Sequence, residues 1–293
     1  MLVDGTGVAY RAYHAIARLS TRAGRPTNAL FGFIKMHFQL QELWRPTHGL
    51  VVFDGGVPGE RLERLPEYKA QRAPMPDDLR GQLESINEFL ARARVPAIRM
   101  EGQEADDVMA TLAGAASSAG AEVLLVSSDK DLYQLVNDRV CVAPPSRAGA
   151  RMGAAEIREK TGVEPAHIVE WLALMGDAVD NIPGVPGVGP KTAAGLLADF
   201  GSLSALWARL GEVSQPKLRE ALAANRARVE SNLELVRLRR DLPVEMDWDA
   251  AVARAPEPSR LAPFYRDMEF HSLLRDLEGA KPSDAHLDFG LPT

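Results

Sequence analysis

The sequence predicts an α/β fold: a mostly parallel central sheet flanked by helices, followed by an α-helical region. Three observations predict it. Short apolar, β-branched runs recur in the first half, at 50–53, 122–126 and 140–142. Amphipathic segments of helix length, 79–93 and 105–116, alternate with them, and such alternation marks a parallel sheet with helices on its faces. Past about residue 150 the strand signals stop.

In chain order, Met1, Leu2 and Val3 make a very short first strand ahead of Asp4. The run at 50–53 is the next strand. Residues 57–78 then break the rhythm, with Pro58, Pro66, Pro74 and Pro76 among Arg61, Arg64, Lys69 and Arg72. A basic connection of this length inside a compact domain is functional or disordered. Two helices and two strands follow, and residues 1–160 form the α/β core. Segments 165–176, 190–200, 216–240 and 259–278 read as helices, with Pro190 suited to a first helical turn. They give a second region, 161–278, interrupted by a Gly/Pro-rich hairpin at 182–193. A polar tail, 279–293, is expected to be poorly ordered. No internal repeat is visible.

Hydrophobic residues make up 46% of the 293 and charged residues 25%, which suits a soluble globular chain with a sizeable core. No stretch approaches a membrane span, and no signal peptide is read at the N-terminus. Cys141 is the single cysteine, which excludes an internal disulfide framework and a cysteine-rich metal site. A cytoplasmic protein, monomeric by default, is the expectation. The net charge of −6 would argue against a nucleic-acid partner, since phosphate binders tend to be basic. The charge is unevenly distributed, however. A site that collects cations needs many carboxylates, which pull the total negative whatever the rest of the surface carries.

Those carboxylates recur at related places. Asp4 follows the first apolar stub, Asp54 follows the 50–53 run, and Asp129 and Asp131 follow the strand ending at Val126. Parallel α/β sheets bind ligands beyond the carboxyl ends of their strands. Glu104, Asp106 and Asp107 open a helix, Glu104 and Asp107 sharing a face. Singly, each acid is explained by helix capping or turn preference. Together they bring repelling charges to one edge, which is tolerable when cations lie between them, and all-oxygen ligands favour Mg²⁺ or Mn²⁺. Asp177 and Asp180 follow a helical run, where the macrodipole disfavours acids and a bound cation supplies a reason for them.

The hairpin from Ile182 to Ala193 carries Gly184, Gly187, Gly189, Lys191 and Thr192. A nucleotide-binding P-loop requires Gly-Lys-Ser/Thr in direct succession, which Pro190 interrupts. A helix–hairpin–helix fits better: small residues admit a phosphate, and the next helix offers its free N–H groups. Such contacts position a duplex without reading its sequence. A plain interhelical turn is the alternative.

In this order the motifs resemble the 5′ nuclease family, most of all the N-terminal 5′→3′ exonuclease domain of bacterial DNA polymerase I, with flap endonucleases as more distant relatives. The resemblance runs from Leu2-Val3-Asp4-Gly5 through Val51-Val52-Phe53-Asp54, Tyr68-Lys69-Ala70-Gln71-Arg72, Glu104-Ala105-Asp106-Asp107, Asp129-Lys130-Asp131 and Gly176-Asp177 to Met268-Glu269-Phe270 and Leu274. It implies a PIN-like core with a mixed sheet, an arch at about 57–78, and two metals. Asp4, Asp54, Glu104 and Asp106 would hold one, and Asp131, Asp177 and Asp180 the other. Asp129 would be shared and Asp107 would support the set. Lys69 and Arg72 would approach the scissile phosphate, Tyr68 would stack on a terminal base, and Arg11 would add a phosphate contact. For these four a solvated surface role is the alternative. The family also places K⁺ at the hairpin. The implied substrates are DNA with 5′ ends, flaps or nicks, and RNA primers, with a DNA polymerase as partner and no membrane. Because the chain ends soon after Leu277, a stand-alone nuclease is expected. The rival readings are a single-strand RNA nuclease of related acidic fold and a non-catalytic DNA-binding module.

Overall fold

The computed structural model describes residues 1–147 and 149–279. Five short strands, β1 (Leu2–Asp4), β2 (Leu50–Phe53), β3 (Ala97–Arg99), β4 (Val123–Val126) and β5 (Val140–Ala143), form one sheet in the order β3-β2-β1-β4-β5. All its pairings are parallel, with Val3 beside both Val51 and Val126. The sheet is thus mostly parallel, as expected, and the antiparallel contacts beside it among the described residues are isolated bridges such as Val142 with Met152. The expected strands are present, and β3 adds one that its short, half-exposed run did not announce.

Side chains of the strands alternate between two cores. Leu2, Leu50, Val52 and Leu125 enter one, and Val3, Val51, Phe53 and Val126 the other. The second core is closed by α1 (Gly5–Ala15), α2 (Asn28–Trp44) and α4 (Asp77–Ala93). Between β2 and α4, the connection expected as an open basic loop contains a short helix, α3 (Gly59–Arg64). The first core lies under α5 (Ala105–Ser118) and continues without a break into the helical half.

That half comprises α6 (Ala154–Thr161), α7 (Ile168–Met175), α8 (Pro190–Phe200), α9 (Leu203–Ala208), α10 (Pro216–Val236), α11 (Trp248–Ala251), α12 (Pro258–Asp267) and α13 (His271–Leu277). The run expected at 259–278 is thus two helices, broken at Phe270, where the chain turns after the left-handed Glu269. Both return to the N-terminal half, because Leu261, Phe264, Phe270 and Leu273 belong to the core of α2 and α4. Between α7 and α8 lies a two-residue ribbon, β6 (Gly176–Asp177) with β7 (Ile182–Pro183), in a stretch expected to be free of strands. No helix among the described residues is long and apolar enough to cross a membrane. The expected polar tail lies, from residue 280 onward, outside the described residues.

Candidate active site

Strand order reverses at β1, which lies between β2 and β4. This is the crevice where open α/β sheets bind ligands. Asp4 ends β1, Asp54 follows β2, and Ser127 to Asp131 follow β4, so three adjacent strands deliver their acids to one edge.

Capping and clustering turn out to be compatible. The Asp4 carboxylate accepts the Gly7 N–H at 2.7 Å and so caps α1. Asp54 accepts the Ala105 N–H at 2.9 Å, covering the start of α5, whose own N-cap Glu104 makes no capping bond. Ser127 joins two of the loops: its hydroxyl donates to Asp4 at 3.0 Å and accepts the Asp129 N–H at 3.1 Å. Asp129 in turn accepts the Asp131 N–H at 2.9 Å. These bonds leave much of the negative charge unneutralised. Burial and the nearby charges of Asp54 and Asp129 push Asp4 up to about 7, against the hydrogen bonds from Gly7 and Ser127. Asp106 is held well above the usual carboxylate range by burial and by Asp129, Asp4, Asp54 and Asp131. Asp131 is raised by burial and by Asp129, although Lys130 opposes the rise.

Asp177 and Asp180 arrive from the other half on the β6–β7 ribbon. Asp131, Asp177 and Asp180 each place one oxygen within 4.8 Å of the others, a spacing that one cation spans. A buried oxygen of Asp131, Oδ1, has no hydrogen-bond partner. Asp177 differs electrostatically from its neighbours: burial would raise it, but the Lys130 ammonium holds it below the usual range. An orphaned buried oxygen, an all-oxygen donor set and raised carboxylates fit hard divalent cations.

Asp107 and Glu104 lie outside the group at the strand ends. Asp107 is fully buried and saturated, taking Arg61 on both oxygens (2.7 and 2.8 Å) and the Arg239 N–H at 2.9 Å, so it has nothing left for a metal. Glu104 is grouped with Asp180 rather than with Asp4. The Tyr68 hydroxyl stands 3.2 Å from each of Glu104 and Asp180, and the Lys69 ammonium is 2.9 Å from Glu104 and 3.6 Å from Asp180. Tyr68 is only 4% exposed, so its ring lies in the core and is closed to a base, contrary to the stacking expected of it. Burial and the charges of Glu104 and Asp180 drive its hydroxyl strongly towards the neutral form.

The arm from Glu67 to Arg72 is clasped by the ribbon. The Lys69 N–H donates to the Asp180 carbonyl at 3.0 Å, Asn181 Nδ2 donates to the Glu67 carbonyl at 2.8 Å, and Arg72 pairs with Asp180. Lys69 adopts φ 56°, a left-handed conformation rare for side-chain-bearing residues. Arg11 lies half-buried on α1.

In the hairpin, the glycines divide by role. A Cβ on Gly184 would overlap the Met175 carbonyl, so this residue serves packing rather than phosphate approach. Gly187 takes φ 82° and, like Gly189, faces open space. Gly189 precedes α8, whose first turn carries an exposed Lys191 and a half-buried Thr192.

Sequence profiles match residues 1–259: the N-terminal resolvase-like domain of 5′-3′ exonuclease over residues 1–162 and its C-terminal SAM fold over 163–259. The chain belongs to the 5′-3′ exonuclease family. It is 40% identical over 292 residues to DNA polymerase I of Rhizobium leguminosarum, covering 97% of this chain and 29% of that protein. With the thermostable DNA polymerase I of Thermus thermophilus it shares 41% over 276 residues, covering 94% and 33%. The chain therefore spans about a third of the length of these relatives. Among solved structures it superimposes on the T5 5′-exonuclease with divalent zinc bound, with TM-score 0.68, 27% identity, and 92% and 98% of the two chains covered. The catalytic core of Rad2 in complex with DNA, at 18% identity and TM-score 0.63, shares the fold and covers 94% and 89%. The family is one of metal-dependent 5′-3′ exonucleases and flap endonucleases.

Sequence reasoning missed Arg61, Ser127, Thr6 and Lys130. Thr6 accepts the Asp54 N–H at 2.9 Å. Arg61 was visible only as one of several basic residues in the 57–78 connection, and nothing in its spacing announced a buried partner.

Proposed function

We propose that the chain hydrolyses phosphodiesters at free 5′ ends and 5′ flaps of DNA and in RNA primers, using two divalent cations. The observation that carries this is the set Asp4, Asp54, Asp106, Asp129 and Asp131 gathered at the sheet's switch point, with Lys69 and Arg72 held on the neighbouring Glu104 and Asp180. One cation is assigned to Asp4, Asp54 and Asp106, the other to Asp131, Asp177 and Asp180 with Glu104 at the margin, and Asp129 is shared. Mg²⁺ is the favoured ion and Mn²⁺ a substitute, as oxygen donors imply. Bound there, the pair would supply a lowered pKa for the attacking water and charge neutralisation on the attacking and leaving oxygens.

The chain's own cations do the rest. Lys69 and Arg72, released from Glu104 and Asp180, would neutralise the scissile phosphate. Gly187, Gly189, Lys191 and Thr192 would hold a backbone phosphate at the start of α8, as a helix–hairpin–helix does, with K⁺ among the hairpin carbonyls. Arg11 is assigned a further phosphate contact. The products would be a 5′-phosphate and a 3′-hydroxyl. A DNA polymerase is the proposed partner, since the relatives named above are polymerases, and a monomer in the cytoplasm is the working form.

The test is cleavage of a 5′-labelled flap on a nicked duplex, with Mg²⁺ or EDTA, for the unaltered chain and Asp129→Asn. Asn at this position keeps an acceptor for the Asp131 N–H while removing the charge. Short labelled products that vanish in EDTA and fall more than about 100-fold in the variant are expected, a larger loss than outer-shell changes give. Binding without cleavage in both Mg²⁺ and Mn²⁺ would instead make the chain a DNA-binding module. Faster cutting of plain single-stranded RNA would make it an RNA nuclease.

A further inference from the structure

We infer that Arg61 is a positioning residue for the metal site: it aims the Glu104 carboxylate and sets its spacing from Asp177 and Asp180 in the helical half. The inference rests on the two-cation reading above and assigns a role to a residue outside the acidic set.

All three guanidinium nitrogens of Arg61 are engaged. Nη1 donates to Glu104 Oε2 and to Asp107 Oδ2, both at 2.7 Å. Nη2 donates to Asp107 Oδ1 at 2.8 Å and to the Arg237 carbonyl at 3.3 Å, and Nε donates to the Leu235 carbonyl at 3.1 Å. The side chains of Arg61, Glu104 and Asp107 are 7%, 6% and 0% exposed, so water screens these interactions little. Glu104 Oε2 is thereby committed to Arg61 and to the Tyr68 hydroxyl. Its other oxygen, Oε1, is buried and is met by the Lys69 ammonium at 2.9 Å. Arg61 thus determines which oxygen of Glu104 is left for a cation and where it points.

The same guanidinium fixes the two halves of the site relative to each other. The carbonyls it holds are at the end of α10 and just beyond. That segment is fastened further by Gln134, which donates to the Val236 carbonyl and accepts the Leu238 N–H, and by Asp107, which accepts the Arg239 N–H. One turn earlier in α10, Asn232 donates at 3.0 Å to the carbonyl of Ala173, in α7 ahead of the ribbon that carries Asp177 and Asp180, and at 2.9 Å to that of Pro183 in the ribbon's second strand. A path of buried and part-buried hydrogen bonds therefore runs from Glu104 through Arg61 and α10 to the ribbon. Lysine cannot substitute, because a single ammonium lacks the planar fork that reaches two carboxylates and two carbonyls at once.

The test is Mn²⁺ binding to the full chain without DNA, followed by electron paramagnetic resonance at low temperature, for the unaltered chain, Arg61→Lys, Glu104→Gln and the double variant. Melting in EDTA is recorded alongside. Arg61→Lys is expected to weaken Mn²⁺ binding about tenfold, the scale seen when the support of a metal ligand is lost. In the Glu104→Gln background the same change should have little further effect, because the path runs through that carboxylate. A purely structural Arg61 would lower the melting temperature and leave Mn²⁺ affinity unchanged, or would add its full effect to that of Glu104→Gln. Either result overturns the inference. Should Arg61→Lys fail to fold, Asp107→Asn loosens the same clamp while still accepting the Arg239 N–H. Two- to threefold weaker binding, roughly, is then expected, and unchanged affinity counts against the role. If the unaltered chain binds no Mn²⁺, the two-cation reading fails first, and the two failures are thus distinguished.

Discussion

At the residue scale, the site stores cations of its own. Lys69 lies between Glu104 and Asp180 at 2.9 and 3.6 Å, where a divalent ion would meet the same oxygens. Its ammonium is kept charged by those two carboxylates despite burial. Lys69→Met should therefore tighten Mn²⁺ binding several-fold in the absence of DNA, as a competing charge is removed, while slowing flap cleavage. This is opposite in sign to the effect expected for Arg61→Lys, and the same Mn²⁺ titration reads both. Unchanged affinity would mean that Lys69 does not occupy a cation's place. Residue identity was legible in the sequence where chemistry is carried by type and position: Asp4, Asp54 and Asp129 could be put at one edge because each follows an apolar run. Where two acids look alike, the resemblance rather than their spacing set Asp107 apart as a support. Asp106 and Asp107 are neighbours in one helical turn, and only the fold shows that Asp107 turns to Arg61 while Asp106 faces the other carboxylates. Tyr68 was misjudged for a related reason, since an aromatic in a Pro-rich basic segment carries no mark of burial.

At the element scale, the α7–α8 connection joins two tasks that glycine serves differently. Gly176 and Gly184 press against each other and against the end of α7, where any side chain would overlap backbone. Gly189 faces open space at the start of α8. Gly184→Ala should cost about 1–3 kcal/mol of stability, as overpacking does, and weaken metal binding by displacing Asp177 and Asp180. Gly189→Ala should cost less than about 1 kcal/mol, the scale of a helix N-cap, and weaken DNA binding instead. Urea unfolding and duplex binding, measured on both variants, separate packing from phosphate contact. Equal stability losses would contradict the division. The hairpin was readable because Gly and Pro punctuate it, and α8 begins at Pro190 as its ring requires. The connection 57–78 was read less well, because α3 is a short helix whose side chains satisfy buried partners rather than a periodic apolar face.

At the scale of the whole molecule, the two cores on opposite faces of the sheet make global stability respond to pH through a group far from the acids. His37, on α2, is 6% exposed and packs edge-on to Phe38 and Phe89. Burial lowers its pKa from 6.5 to about 4. Between those values the unfolded chain binds a proton that the folded chain refuses. Stability from this residue is therefore complete above pH 6.5 and is lost as pH falls towards 4. The full span corresponds to roughly 3 kcal/mol. Asp4 works in the opposite sense over an overlapping range, because its raised pKa makes the folded chain the stronger proton binder. The total pH profile therefore does not isolate His37, whereas the difference between the unaltered chain and His37→Leu does. In urea unfolding at a series of pH values in EDTA, the variant should gain on the unaltered chain steadily from pH 6.5 down to 4 and hold a constant offset above 7. A difference independent of pH would show that the imidazole keeps its proton when the chain folds, and that this core is more accessible to water than its packing indicates.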